Sequence, residues 1–140
     1  MGKNVHDNVL DAALSYLSSN ANRLIVLSSE PTGASAYSNA TTAVDSSGYK
    51  LAEATISASD FTGPANGDTS GRKIQVDAQS SMSINGVASS ANATHVALVK
   101  QSSSASSQLV LYTTTCTSQS LTGGNQVNTP AWDIEIRDPT

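Results

Sequence analysis

Apolar and polar positions alternate most clearly near the end of the chain, where Trp132, Ile134 and Ile136 interleave with Asp133, Glu135 and Arg137. Successive side chains of a strand point to opposite faces, so this spacing sets the large apolar groups on one side and the charges on the other. The segment from Pro130 to Pro139 therefore predicts a sheet strand whose tryptophan, the only one in the chain, closes the core. Arg23-Leu24-Ile25-Val26-Leu27 is a continuous apolar run ahead of Pro31, the pattern of a strand buried on both faces. Thr94 to Val99 and Gln108 to Tyr112 predict a hairpin whose tip is the serine run 101–107. Ile74, Val76 and Ala78 alternate with Gln75 and Asp77 as in a half-exposed strand.

A different period governs the start of the chain. Between residues 5 and 19, Leu10, Ala13, Leu14 and Leu17 share one helical face, with Val9 and Tyr16 at its margin. Asn4 is the expected cap, and Asp7 favours the positive end of the helix dipole. The leucine face is expected to pack against a sheet or a neighbouring subunit.

Turn chemistry divides the rest. Gly63-Pro64 and Asn66-Gly67 each predict a tight reversal, and Asn85-Gly86, after Met82-Ser83-Ile84, is a hairpin signal. Leu121 to Asn125 turns the chain before an extended piece that starts at Val127. Residues 32–48 hold little but Ala, Ser, Thr, Asn and Gly and are expected to be a surface loop that is mobile or that another chain orders. About seven short strands with turns between them give the expected fold: mainly β, an antiparallel β-sandwich or jelly roll, with one N-terminal helix. One domain is expected over residues 1–140, with the helix at 5–19 and the sandwich at 23–139.

Composition narrows the function classes. Charged residues are 13% of the chain, the net charge is -4, and the seven Lys and Arg residues are scattered, which argues against nucleic acid as a partner. No segment is apolar enough to span a membrane, and the first residues lack the apolar core of a secretory signal, so synthesis in the cytoplasm is expected. Asn39-Ala40-Thr41 and Asn92-Ala93-Thr94 match the glycosylation triplet, as chance allows in a threonine-rich chain.

The residues that carry chemistry are few. Cys116 is the single cysteine, with no CxxC pair or Cys/His cluster to hold zinc, and a structural role is expected for it. His6 and His95 are the only imidazoles, and no GxSxG elbow accompanies them. Asp68-Thr69-Ser70-Gly71 lacks the spacing of an aspartic-protease loop, and the acidic turn from Asp60 to Asp68 has irregular spacing for calcium. No glycine-rich phosphate cradle occurs. Neither catalytic residues, nor cofactor, nor metal is expected. The carboxylates Asp133, Glu135 and Asp138 are expected in ion pairs across a sheet or a subunit boundary, with Arg137 as the cation.

Taken in order, His6 to Leu14, the loop Gly67 to Lys73, the strand Ala93 to Val99 and the ending Pro130 to Pro139 resemble small structural proteins of tailed bacteriophages, over nearly the whole chain. The resemblance implies a non-enzymatic virion component, most like a capsid decoration or cement protein. Such proteins are small β domains that sit as trimers on the capsid surface and staple coat subunits. Its expected partners are then the major capsid protein or other virion proteins, and further copies of itself. Leu10, Leu14, Leu17, Trp132 and Arg137 are the expected contact residues, with 32–48 and 101–107 as arms that order on binding. A tail, collar or fibre-attachment component is the alternative virion place, and a host-receptor or carbohydrate-binding module the alternative class.

Overall fold

The structure, a computed structural model, describes residues 3–87 and 89–140. Helix α1 (Asp7–Asn20) is followed by β1 (Arg23–Leu27), a short helix α2 (Ala36–Thr41), β2 (Lys50–Thr55), β3 (Phe61–Asn66), β4 (Arg72–Val76) and β5 (Gln79–Ser83). Then come β6 (Ser90–Lys100), β7 (Leu109–Thr122), β8 (Gln126–Thr129) and β9 (Trp132–Ile136). The expected mainly β, sandwich-like class with an N-terminal helix is what the chain adopts, with nine strands among the described residues in place of about seven.

All the strand pairs are antiparallel. One sheet runs β2-β1-β6-β7; opposite it lie the sheet β3-β4-β9 and the ribbon β5-β8. The larger core fills the space between these layers and draws on Leu24, Val26, Leu51, Val96 and Leu98 from one side and Ile74, Val76, Met82 and Ile134 from the other. β1 is buried on both faces, as its continuous apolar run predicts. Its even positions enter the larger core, while Ile25 and Leu27 join Ala97, Val99 and Ala40 in a smaller one on the outer face of the same sheet.

That smaller core corrects the reading of residues 32–48 as a loop. Ala40 of α2 is fully buried over Ile25 and Leu27, and Tyr37 and Tyr49 pack beside it. The helix is too short for an apolar period to show. Gly48 allows the return: a Cβ there would lie 2.0 Å from the Thr42 carbonyl oxygen, so the two backbones meet at a distance no other residue permits.

Helix α1 starts at Asp7, two residues later than expected, because His6 and not Asn4 caps it: the imidazole Nδ1 accepts from the Asn8 N–H at 3.1 Å. Leu10 and Leu14 are buried, and Leu17 packs half-buried on the larger core. Arg72 of β4 fixes the helix from outside, its Nε and Nη2 donating to the two Asp11 carboxylate oxygens at 2.7 and 3.2 Å.

Two turn expectations also change. Gly63-Pro64, a cis peptide, lies inside β3 where the register with β4 slips, so the strand bulges there instead of reversing. Asn85-Gly86 does not close a hairpin: β5 pairs with β8, far along the chain, and the chain crosses from Ile84 to β6 in the other layer. Gly86, at φ +74°, turns against Ala43.

Candidate functional site

The hairpin β6–β7 leads to the site. Ser90 to Lys100 pairs with Leu109 to Thr122, but the ladder slips between Ala93↔Gln119 and His95↔Thr115. Between these pairs one residue of β6, Thr94, faces three of β7, which leaves a bulge at Cys116 to Ser118. Beside the bulge opens a cleft of about 510 Å³. Val26, Ala93, Val96 and Val127 supply its apolar lining. Thr114 to Thr117 of β7 form one wall, and Val127 to Pro130 with Trp132 form the other.

The second wall arises from the register of β8. Val127 and Thr129 are its buried positions, so a hydroxyl occupies a slot where alternation calls for a hydrocarbon. Thr129 is 8% exposed, and its Oγ1 has no hydrogen-bond partner among the described residues. The indole Nε1 of Trp132 is also buried and unpartnered among them. Native interiors pair nearly all such groups, so two orphaned atoms in residues that line one cleft mark it. Trp132 is half-buried, packs on the larger core and stacks on Tyr112 of β7, with ring centroids 5.8 Å apart and planes at 25°.

Charge gathers along β9 at Asp133 and Glu135, and Asp133 also borders the cleft. Lys73 Nζ sits 2.5 Å from Asp68 and 2.9 Å from Asp133, and both contacts raise its pKa above the ordinary lysine range. Lys73, with Gln75 at 3.1 Å, holds the Asp133 carboxyl below the usual range. Glu135 is also lowered, first by the Thr69 backbone N–H and then by Arg137 at 3.2 Å. The ion pairing expected at this end therefore runs across β4–β9, with Lys73 as its centre, and Arg137 serves Glu135 alone among the described contacts.

Asp60, lowered by the Ser57 N–H, belongs to the same class. A carboxyl whose folded pKa is depressed contributes stability above its unfolded value and loses it as pH falls through the folded one. The melting temperature is thus expected to hold from neutrality to about pH 5 and to drop below about pH 4. Thermal scans across that range check it; Lys73→Met should make the acid limb shallower, and an unchanged limb would remove Lys73 as the cause.

The sequence-expected residues fall in different places. Trp132 lines the cleft; Arg137 is exposed on the β9 face; Leu10, Leu14 and Leu17 face inward. The stripe that α1 turns to solvent is Val9, Ala13 and Tyr16, with Val9 61% and Tyr16 51% exposed. Cys116 is half-buried on the cleft wall, and burial raises its thiol pKa. His95, opposite Thr115 in the ladder, has its Nδ1 2.8 Å from Thr94 Oγ1, which itself bonds the Ser28 carbonyl at 2.9 Å. Among the described residues no three His, Cys, Asp or Glu side chains are placed to hold a metal, and no helix is long and apolar enough to cross a membrane.

Thr129 is the site residue that the sequence reading missed. Its signal is the period-2 step from Val127, which sets it in the buried register just before Pro130. Comparison with known proteins finds no matching family model, no matching curated protein and no matching solved structure.

Proposed function

We propose that this chain is a non-enzymatic virion protein of a tailed bacteriophage, which binds the capsid exterior as a homo-oligomer, a trimer favoured, and stabilises the shell as a decoration or cement protein. Its partners are the major capsid protein or other virion proteins. The observation that carries the reading is the surface of β7. This strand is 14 residues long and among the described residues pairs with β6 alone, and of Thr115 to Ser120 every residue but Cys116 is exposed. Main-chain edge, four hydroxyls and the Gln119 amide are thus offered together and without charge.

Such a surface suits broad contacts made through hydrogen bonds and bridging water. The Val9–Tyr16 stripe of α1 adds an apolar patch at which copies or coat subunits can meet. The sequence resemblance to phage structural proteins supports the same role. A carbohydrate site draws less support, because one face of its best aromatic platform, Trp132, is covered by Tyr112.

The test is made on particles. Those stripped of the protein are expected to release DNA at a lower temperature, and purified protein added back should restore the original one. Identical release temperatures, or density for the chain on the tail in cryo-electron micrographs, would remove the cement role.

A further inference from the structure

We propose that the cleft is a strand-acceptor site: an uncharged, extended peptide segment of the partner enters between β7 and β8, pairs with the β7 edge at Thr114 to Thr117, and offers a carbonyl oxygen to Trp132 Nε1 and Thr129 Oγ1. The cleft lies between two sheet margins. Among the described residues β7 is the last strand of β2-β1-β6-β7, and β8 is paired by β5 along one side only. Free edges of this kind are templates for another chain.

Four consecutive residues of β7 line the cleft. Because neighbouring side chains of a strand point to opposite faces, an unbroken run of lining residues means that the main chain itself borders the space. The bulge at Cys116 to Ser118 has the same effect, since it lifts this stretch out of its ladder with β6. At roughly 3.3 Å per residue, a guest of four or five residues matches this wall.

The orphaned polar atoms select the guest's chemistry. An indole N–H only donates and a hydroxyl donates readily, so the shared complement is an acceptor oxygen. A main-chain carbonyl supplies one at every residue. Asp133 is the only charged side chain on the lining, and Lys73 and Gln75 already engage it, so no free cation awaits an acidic guest. The valines and Ala93 take one apolar side chain of the guest, while its alternate side chain faces outward among the threonines.

This inference names the chemistry of the partner in the adhesive role above and rests on that role only for who supplies the strand. It is tested on the whole protein with the blocked pentapeptide acetyl-Thr-Val-Thr-Val-Thr-amide and with the same peptide N-methylated at alternate residues, which cannot pair with an edge. Millimolar unmodified peptide is expected to shift the single indole N–H resonance saturably and to slow alkylation of Cys116 by iodoacetamide several-fold. The N-methylated peptide should do neither. Thr129→Val keeps the shape and removes the orphan hydroxyl; it should fold at least as stably and bind the peptide about five- to tenfold more weakly.

No indole shift at millimolar peptide, equal binding of the N-methylated peptide, or unchanged affinity in Thr129→Val would each overturn the proposal. The two readings fail separately. Particle binding that excess peptide does not inhibit would remove the strand-acceptor site and leave the capsid role. Peptide binding by a protein that ignores particles would do the reverse.

Discussion

Leu98→Ala is expected to lower unfolding stability by about 2–5 kcal/mol, a large part of what a domain of this size possesses. Leu98 is fully buried in the second half of β6, across from Leu24 of β1 and Tyr112 of β7. It projects into the larger core, where both layers of the sandwich and α1 meet. Truncation there removes hydrocarbon from water-free contact and leaves a cavity that rigid strands on each side cannot collapse into. Urea titration reads the effect as a fall in midpoint with little change in slope. Val9→Ser, on the exposed stripe of α1, should stay within about 0.5 kcal/mol of the parent. Similar small effects for both substitutions would mean that β6 is not the centre of the fold.

Legibility followed the range over which each signal acts. β1 could be read because five adjacent residues carry the evidence that both of its faces are covered. The β6–β7 hairpin could be read because its partners are neighbours in the chain, and β9 because its alternation spans the whole strand. The pair β5–β8 was hidden: Gln79-Ser80-Ser81-Met82-Ser83 is mostly polar, and its partner lies more than forty residues on. Asn85-Gly86 was misread for the same reason, since a turn dipeptide signals a reversal but not which strand follows. In α2 a single buried alanine does the packing, so composition suggested a loop where tertiary contact makes a helix.

The candidate site was less legible than the fold. Trp132 was singled out for its size, yet the feature that matters is its unpartnered Nε1, which depends on what β7 and β8 bring beside it. The contact expectation for Leu10, Leu14 and Leu17 came from an amphipathic face that fits a sheet and a subunit equally well, and the chain's own sheets occupy that face. What the helix presents outward is the margin of its apolar arc, Val9 and Tyr16, visible in the sequence but outranked there by the leucines. The cleft itself, joining Val26, Cys116 and Thr129, is a product of topology alone.

Removal of residues 130–140 is expected to abolish cooperative unfolding. β9 pairs with β4 along Arg72↔Ile136 to Val76↔Trp132, and among the described residues no other strand covers that side of β4. Its loss would expose Ile74 and Val76, now 1% and 0% exposed, and delete Ile134 from the larger core along with the partly buried Trp132 and Ile136. Burial of each large apolar side chain is worth about 1.5–3 kcal/mol, less where it is partial, so the sum reaches the roughly 5–15 kcal/mol that holds an entire domain folded. The same deletion strips Lys73 of Asp133 and frees Gly71, whose backbone N–H meets Asp138 at 3.2 Å. Calorimetry of the truncated chain should show no transition with a domain-sized enthalpy, and circular dichroism should show reduced strand content. Because β9 is an edge strand bound through one neighbour, a synthetic peptide of residues 130–140 added to the truncated chain should restore the transition in a concentration-dependent way. A truncated chain that melts cooperatively within a few degrees of the parent would show that β4 and α1 close the core without it.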